Sequence, residues 1–296
     1  MDTPEITEAV VRALLRAQQP DLVGLPIHGA VTGWDNQMWR LGEELAVRLP
    51  RTPRGPELLR GEHRWLPALA PCLPLPVPTP LRLGEPSADF PKPWSVVVWV
   101  PGEPGDRAPV TRGEHAADAL AGFLTALHTQ AVPEDAPVNA VRGVPLGTHE
   151  RYFDEKFREL AVELPDGVGD IWKDAVAADP WDAPPVWLHG DLHPANVVVT
   201  DGTLSGVIDF GELCTGDPAT DLAAAWLLLP SGARARFFAT YGNPDPATIR
   251  RARGWAVVQS LSLITVGRAG EKGLPGGKVT WGRAGRLAID RVLTAS

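Results

Sequence analysis

The five residues Pro101-Gly102-Glu103-Pro104-Gly105 constrain this chain more than any other stretch, because neither a helix nor an interior strand runs through two prolines and two glycines set so closely. Before them the chain reads mainly as short strands and turns; after them it reads mainly as helices. A helix is expected over Ile6 to Ala17, followed by strands between Leu25 and Pro50, where Leu45, Val47 and Leu49 alternate with Ala46 and Arg48 behind a Gly42-Glu43-Glu44 turn. A helix from Glu57 to Leu69, an extended Pro-rich run from Pro71 to Pro80 and a buried strand from Trp94 to Val100 complete this part. Past the break, Thr111 to Thr129, Thr148 to Glu163 and a shorter segment near Ile171 read as helices, and helices resume at Pro218. The exception is Val186 to Phe210, with strands at Val186-Trp187-Leu188, Asn196 to Thr200 and Leu204 to Asp209, the last two joined across Asp201-Gly202. Two lobes are therefore expected, residues 1 to 100 and 101 to 296.

Composition narrows the function classes. With 44% apolar and 22% charged residues the chain is built to form a core, which excludes wholesale disorder. The longest apolar runs, Val96 to Val100 and Leu222 to Leu229, are far shorter than the roughly 20 residues needed to cross a bilayer, so no membrane partner is expected. Asp2, Glu5 and Glu8 stand where a secretory leader carries basic residues, so a cytoplasmic location is expected. Cys72 and Cys214 make no CxxC pair and read as small buried hydrophobes, not as a disulfide framework or zinc ribbon. Counting 28 basic against 36 acidic residues gives a net charge of -8, which disfavours nucleic acid as the main partner and favours a cationic small molecule. The acids Glu150, Asp154, Glu155, Glu159 and Glu163 fall in two sectors of their helix and read as solvated faces.

The chemistry is concentrated in His189-Gly190-Asp191-Leu192-His193-Pro194-Ala195-Asn196, followed by Asp209-Phe210-Gly211. Asp191 lies on the turn leaving an apolar strand, where a carboxylate can meet a substrate hydroxyl, and Asn196 opens the next strand. Pairing across the Asp-Gly turn returns Asp209 toward Asn196. Adjacent oxygen ligands of this kind suit Mg²⁺, whose octahedron nucleotide phosphates and water complete. Such an arrangement belongs to phosphoryl transfer. His189 and His193 invite a zinc-hydrolase alternative, but Gly190 and Pro194 interrupt the helix that would bring both to one metal. A non-catalytic nucleotide binder is a further alternative, against which all three oxygen-bearing positions are filled.

These motifs resemble those of the aminoglycoside phosphotransferase family, a group of protein-kinase-like small-molecule kinases: His189-x-Asp191-x-x-x-x-Asn196 has the spacing of the kinase catalytic loop and Asp209-Phe210-Gly211 matches its metal-binding triplet. The resemblance implies an α+β bilobal fold, with a small β-rich nucleotide lobe and a larger, mostly helical acceptor lobe. It implies Asp191 as catalytic base, His189 as support for its loop, and Asn196 and Asp209 as magnesium ligands. It also implies ATP or GTP as co-substrate and a hydroxyl-bearing acceptor, with an aminoglycoside-type antibiotic first among macrolides, cyclic-peptide antibiotics, choline and homoserine. Asp217, with Pro218 after it, would cap the following helix, and Asp221 would brace the catalytic loop. The first lobe departs from the pattern. No GxGxxG is present, and Gly33, Trp34 and Asn36 at a hairpin tip stand in for it, offering backbone N–H groups to phosphates. Arg48 occupies the place of the usual strand lysine, with Glu62, or else Glu57, as its ion-pair partner, unless Arg48 faces solvent. Val98, Trp99 and Val100 would present backbone groups to the base where the lobes meet.

Overall fold

The structure, a computed structural model, describes residues 5–294; Asp2 lies outside them. The chain divides into two compact units, one made of residues up to Pro71 with Pro76–Val100, the other of Cys72–Leu75 with everything from Pro101 onward.

The first unit is a five-stranded antiparallel sheet with two helices. Its strands are β1 (Ile27–Thr32), β2 (Asn36–Leu41), β3 (Leu45–Pro50), β4 (Pro80–Gly84) and β5 (Trp94–Val98), in the order β1-β2-β3-β5-β4. β3 is central and five of its six residues are buried, which is why it reads as a nearly continuous apolar run. Gly42, with φ of 62°, makes the turn between β2 and β3, a conformation that costs glycine nothing. Helix α1 (Glu8–Gln18) starts two residues later than the periodicity predicts because Thr7 takes the cap, its hydroxyl accepting the Val10 N–H at 3.4 Å. Val11, Leu14 and Leu15 on one face of α1 join Leu41, Val47, Leu49, Phe90, Trp94 and Val96 in the core. Helix α2 (Gly55–Leu69) opens with Pro56 in its first turn. The strand expected to reach Val100 ends at Val98.

The second unit is mostly helical: α3 (Gly113–His128), α4 (Glu150–Leu160), α5 (Val168–Val176), the short α6 (Ala219–Leu222) and α7 (Ala224–Leu227), α8 (Arg234–Tyr241), α9 (Pro246–Glu271) and α10 (Val279–Leu293). Helix α9 is its axis. Asp245 caps it by accepting the Thr248 N–H at 2.9 Å, and Gly267 meets Gly282 of α10 so closely that a Cβ on Gly267 would sit 2.2 Å from the partner's Cα. Two small antiparallel sheets are set into this unit, β6-β8-β9 (β6 Glu103–Pro104, β8 Val197–Thr200, β9 Thr203–Val207) and β10-β7 (β7 Val186–Leu188, β10 Cys214–Gly216). β8 and β9 meet across Asp201 (φ 50°) and Gly202 (φ 74°), the doubly left-handed turn expected of Asp-Gly. No helix among the described residues is long and apolar enough to cross a membrane.

The cysteines differ from expectation in one case. Cys214 is buried, and burial pushes its thiol up to about 12, whereas Cys72 is exposed. Cys72 ends the turn that follows α2, where Pro71 stops the helix and none of the three residues is buried.

Candidate active site

In the second unit, β7 delivers the chain into the segment His189 to Asn196. Gly190 turns it with φ of 82°, and a Cβ there would meet the Glu212 carbonyl oxygen at 2.7 Å, so glycine is required twice over. His189 is fully buried and pins the turn from inside. Its Nδ1 accepts the Asp191 N–H at 3.2 Å, so its Nε2 carries the proton and donates to the Ile208 carbonyl at 3.0 Å, and its ring packs 4.7 Å from that of Phe210. Asp221, also fully buried, accepts the N–H groups of His189 at 2.7 Å and Gly190 at 2.8 Å. Behind it, His128 Nε2 lies 3.3 Å from Asp221 Oδ2, and His128 Nδ1 lies 2.7 Å from the Tyr241 hydroxyl.

This scaffold presents Asp191 with both oxygens engaged. Oδ1 accepts from Arg142 Nη2 at 2.8 Å; Oδ2 accepts from Asn196 Nδ2 at 3.2 Å and lies 3.5 Å from His193 Nε2. Burial pushes this carboxyl up, but the hydrogen bond and charge of His193, with the charge of Arg142, outweigh it and hold Asp191 well below the usual carboxylate range. Asn196 spends its amide N–H₂ on Asp191, also reaching the Asp191 carbonyl at 2.9 Å, which leaves the amide oxygen as the end turned to other ligands. It sits in a short 3-10 turn (Pro194–Asn196), one residue before the strand it was expected to open. β9 likewise ends at Val207 and not at Asp209, because Ile208 turns aside to donate its N–H to the Asn196 carbonyl at 2.9 Å. Asp209 follows in left-handed backbone, φ 63°, a strained conformation for a non-glycine residue. Ile208 is thus held from two sides, by Asn196 and by His189, and Asp209 is the next residue.

The donor set bears on the metal. A carboxylate and an amide oxygen suit a Mg²⁺ ion that keeps water and phosphate ligands. Among the described residues no three His, Cys, Asp or Glu side chains are grouped to hold a metal by themselves. The zinc alternative loses its support: His193 lies in extended backbone, φ −149°, and His189 is bonded through both ring nitrogens. Asp217 does accept the Ala219 N–H at 3.0 Å at the start of α6, and it is also paired with Arg251 at 2.7 Å.

In the first unit the picture departs further from expectation. Arg48 is 4% exposed, which overturns the surface-strand reading, and Nη1 pairs with Glu62, itself 2% exposed, while Glu57 is exposed. With its amide oxygen toward Arg48, Asn36 accepts from Nη2 at 2.9 Å and Nε at 3.1 Å. Its side-chain oxygen therefore orients Arg48. The Gly33 N–H is spent within the hairpin, donating to the Asn36 carbonyl at 2.9 Å, so this tight tip does not offer that amide to phosphate; Trp34 beside it is 47% exposed. The N–H groups of Val98 and Trp99 are likewise taken, by the carbonyls of Thr79 at 3.0 Å and Glu44 at 2.7 Å, so those two amides are already committed. Val100, 7% exposed, follows directly. Arg48→Ala is expected to leave Glu62 without its counter-charge, costing about 3–5 kcal/mol of stability. A melting curve of this variant beside the Arg48→Ala, Glu62→Ala pair checks it, since removing both charges should recover part of the loss.

A model described as the phosphotransferase enzyme family matches residues 27–255. An aminoglycoside 3'-phosphotransferase of Escherichia coli is 32% identical over 149 residues, 45% of this chain; the chain spans about half of that relative, 52% of its length. A viomycin phosphotransferase of Streptomyces vinaceus is 29% identical over 222 residues, 71% of this chain and 77% of the relative. Among solved structures, a GDP complex of an aminoglycoside 2'-phosphotransferase-IIIa variant superposes with a TM-score of 0.70 at 20% identity, covering 97% of each chain, a likeness of fold.

Proposed function

This chain belongs to the aminoglycoside phosphotransferase family, and from that premise we propose that it moves the γ-phosphoryl group of ATP or GTP to a hydroxyl of a small molecule. One observation carries the reading: Asp191 and Asn196 are hydrogen-bonded to each other on a loop hung from Asp221, and Asn196 is bonded through its backbone to the residue beside Asp209. Asp191 orients the acceptor alcohol and takes its proton as transfer proceeds. A carboxyl held below its usual range is a weak base, which suits a loose transition state in which the proton leaves late. His189 fixes the loop. Asn196, through its amide oxygen, and Asp209 would hold Mg²⁺, which when bound supplies neutralising charge on the phosphate oxygens.

The first unit, residues 1 to 100, serves the nucleotide. Arg48, ordered by Glu62 and Asn36, supplies guanidinium charge to its phosphates, and backbone at Val98 to Val100 serves the base, with the Val98 and Trp99 amides already committed. Residues 101 to 296 serve the acceptor. An aminoglycoside-type antibiotic is the first acceptor to test, on the names of two relatives. The experiment is incubation with MgATP or MgGTP over a panel of antibiotics and metabolite alcohols, scored by mass spectrometry for an added phosphate. No product and no nucleoside diphosphate above background would overturn the reading. Asp209→Ala is expected to weaken binding of the magnesium-nucleotide in calorimetry while leaving metal-free nucleotide affinity nearly unchanged; equal affinity of parent and variant for MgATP removes Asp209 as a ligand.

A further inference from the structure

Both oxygens of Asp191 are engaged in this structure, so an acceptor hydroxyl that is to reach the base competes with a partner already there. The three partners differ in how firmly they are held. Asn196 is fixed through its backbone, its N–H donating to the His193 carbonyl and its carbonyl accepting from Ile208, each at 2.9 Å. His193 is 4% exposed; its Nδ1 accepts the Ala195 N–H at 3.3 Å, and its ring packs edge-on against Trp281 of α10 at 4.6 Å. Arg142 is held differently. It stands in the irregular stretch between α3 and α4, where the neighbouring backbone is fastened: the Gly143 N–H donates to Thr220 Oγ1 at 3.2 Å, and the Val141 carbonyl lies 3.1 Å from His149 Nε2. The long side chain is what can move, and it meets Asp191 where both are within reach of solvent, the two side chains being 22% and 27% exposed. That pose strands a donor. The Arg142 Nε–H is buried with no acceptor among the described residues, and water would satisfy it once the side chain swung out.

We propose that Arg142 closes the catalytic base in the acceptor-free enzyme, and that a cationic acceptor opens it by bringing an ammonium group and its hydroxyl to where the guanidinium was. This rests on the phosphotransferase reading above and adds a control to it. The exchange conserves charge: one cation leaves the carboxylate as another arrives, so Asp191 is not left without a counter-charge. Water cannot make the exchange on those terms, and closure therefore protects the nucleotide. With the base open, a water oxygen would bond to the γ-phosphorus as the bond from that phosphorus to the bridging oxygen breaks. The nucleoside diphosphate would leave with the electron pair, and the water proton would pass to Asp191. With Arg142 on Oδ1 at 2.8 Å and Asn196 on Oδ2 at 3.2 Å, water is held off the base.

The test compares the parent, Arg142→Ala and Arg142→Lys in two measurements: nucleoside diphosphate release from MgATP and MgGTP without acceptor, and calorimetric titration with kanamycin. Arg142→Ala should hydrolyse nucleotide about tenfold faster than the parent and bind kanamycin about tenfold more tightly, since one charge-assisted hydrogen bond no longer has to be broken. Arg142→Lys, which keeps the charge without the planar fork, should fall between the two. Circular dichroism confirms that the variants fold. Unchanged or slower hydrolysis by Arg142→Ala is the result expected of a residue that only positions the base, and it overturns the proposal; so does kanamycin affinity no better than the parent's. The phosphotransferase reading fails separately, by the absence of any phosphorylated product from the parent over the whole acceptor panel.

Discussion

Asp191→Asn is expected to lower kcat by roughly 10² to 10⁴ while leaving nucleotide affinity near that of the parent, because the substitution keeps shape and removes the proton acceptor. The amide also loses charge complementarity with Arg142 and His193, so part of the loss comes from orientation. The sign of the pH dependence follows from the depressed carboxyl: Asp191 is ionised above the usual carboxylate range and through it, so kcat/KM of the parent should hold as pH falls to mildly acidic values and drop only below that range. Steady-state kinetics across pH, with MgATP affinity measured separately, checks both. Turnover of Asp191→Asn close to the parent's would remove it as the base.

Asp221→Asn should lower both stability and activity. The carboxylate is fully buried and accepts two backbone N–H groups, with His128 against the same oxygen that His189 uses. An amide turns one acceptor into a donor and faces N–H with N–H, leaving at least one buried donor unmet; the expected cost is about 3–5 kcal/mol. At this chain length that corresponds to a fall of roughly 10 °C in melting temperature. Activity should fall as well, since the peptide units at 189 and 190 set the direction in which Asp191 leaves the strand. Differential scanning calorimetry reads the first and kinetics below the transition the second; an unchanged melting temperature would show that the loop does not depend on this carboxylate.

What could be read from the sequence follows from the range of the interactions involved. The β8–β9 hairpin was legible because alternation and an Asp-Gly turn are local signals, and the loop from His189 to Asn196 because its residues are neighbours in the chain. Element ends were off by one to three residues wherever a side chain or an amide found a better partner, as at Thr7 and Ile208. The hairpin tip was only partly legible, for a different reason. A glycine announces that a turn exists, not where its N–H points, and here the turn consumes it. Arg142 reaches Asp191 across 49 positions and Tyr241 reaches His128 across 113, with no periodicity linking either pair. Arg48 with Glu62 was found only because the resemblance supplied the pairing; composition alone would have put an arginine on a strand in solvent.

The two sulfurs have unequal prospects. Cys214 is sealed in and kept protonated, while Cys72 stands in the open in the short Cys72–Leu75 segment, which groups with the second unit although the first flanks it on both sides in sequence. The chain therefore carries one addressable thiol, in a segment that interrupts the first unit in sequence, a place to attach a spectroscopic label without engineering.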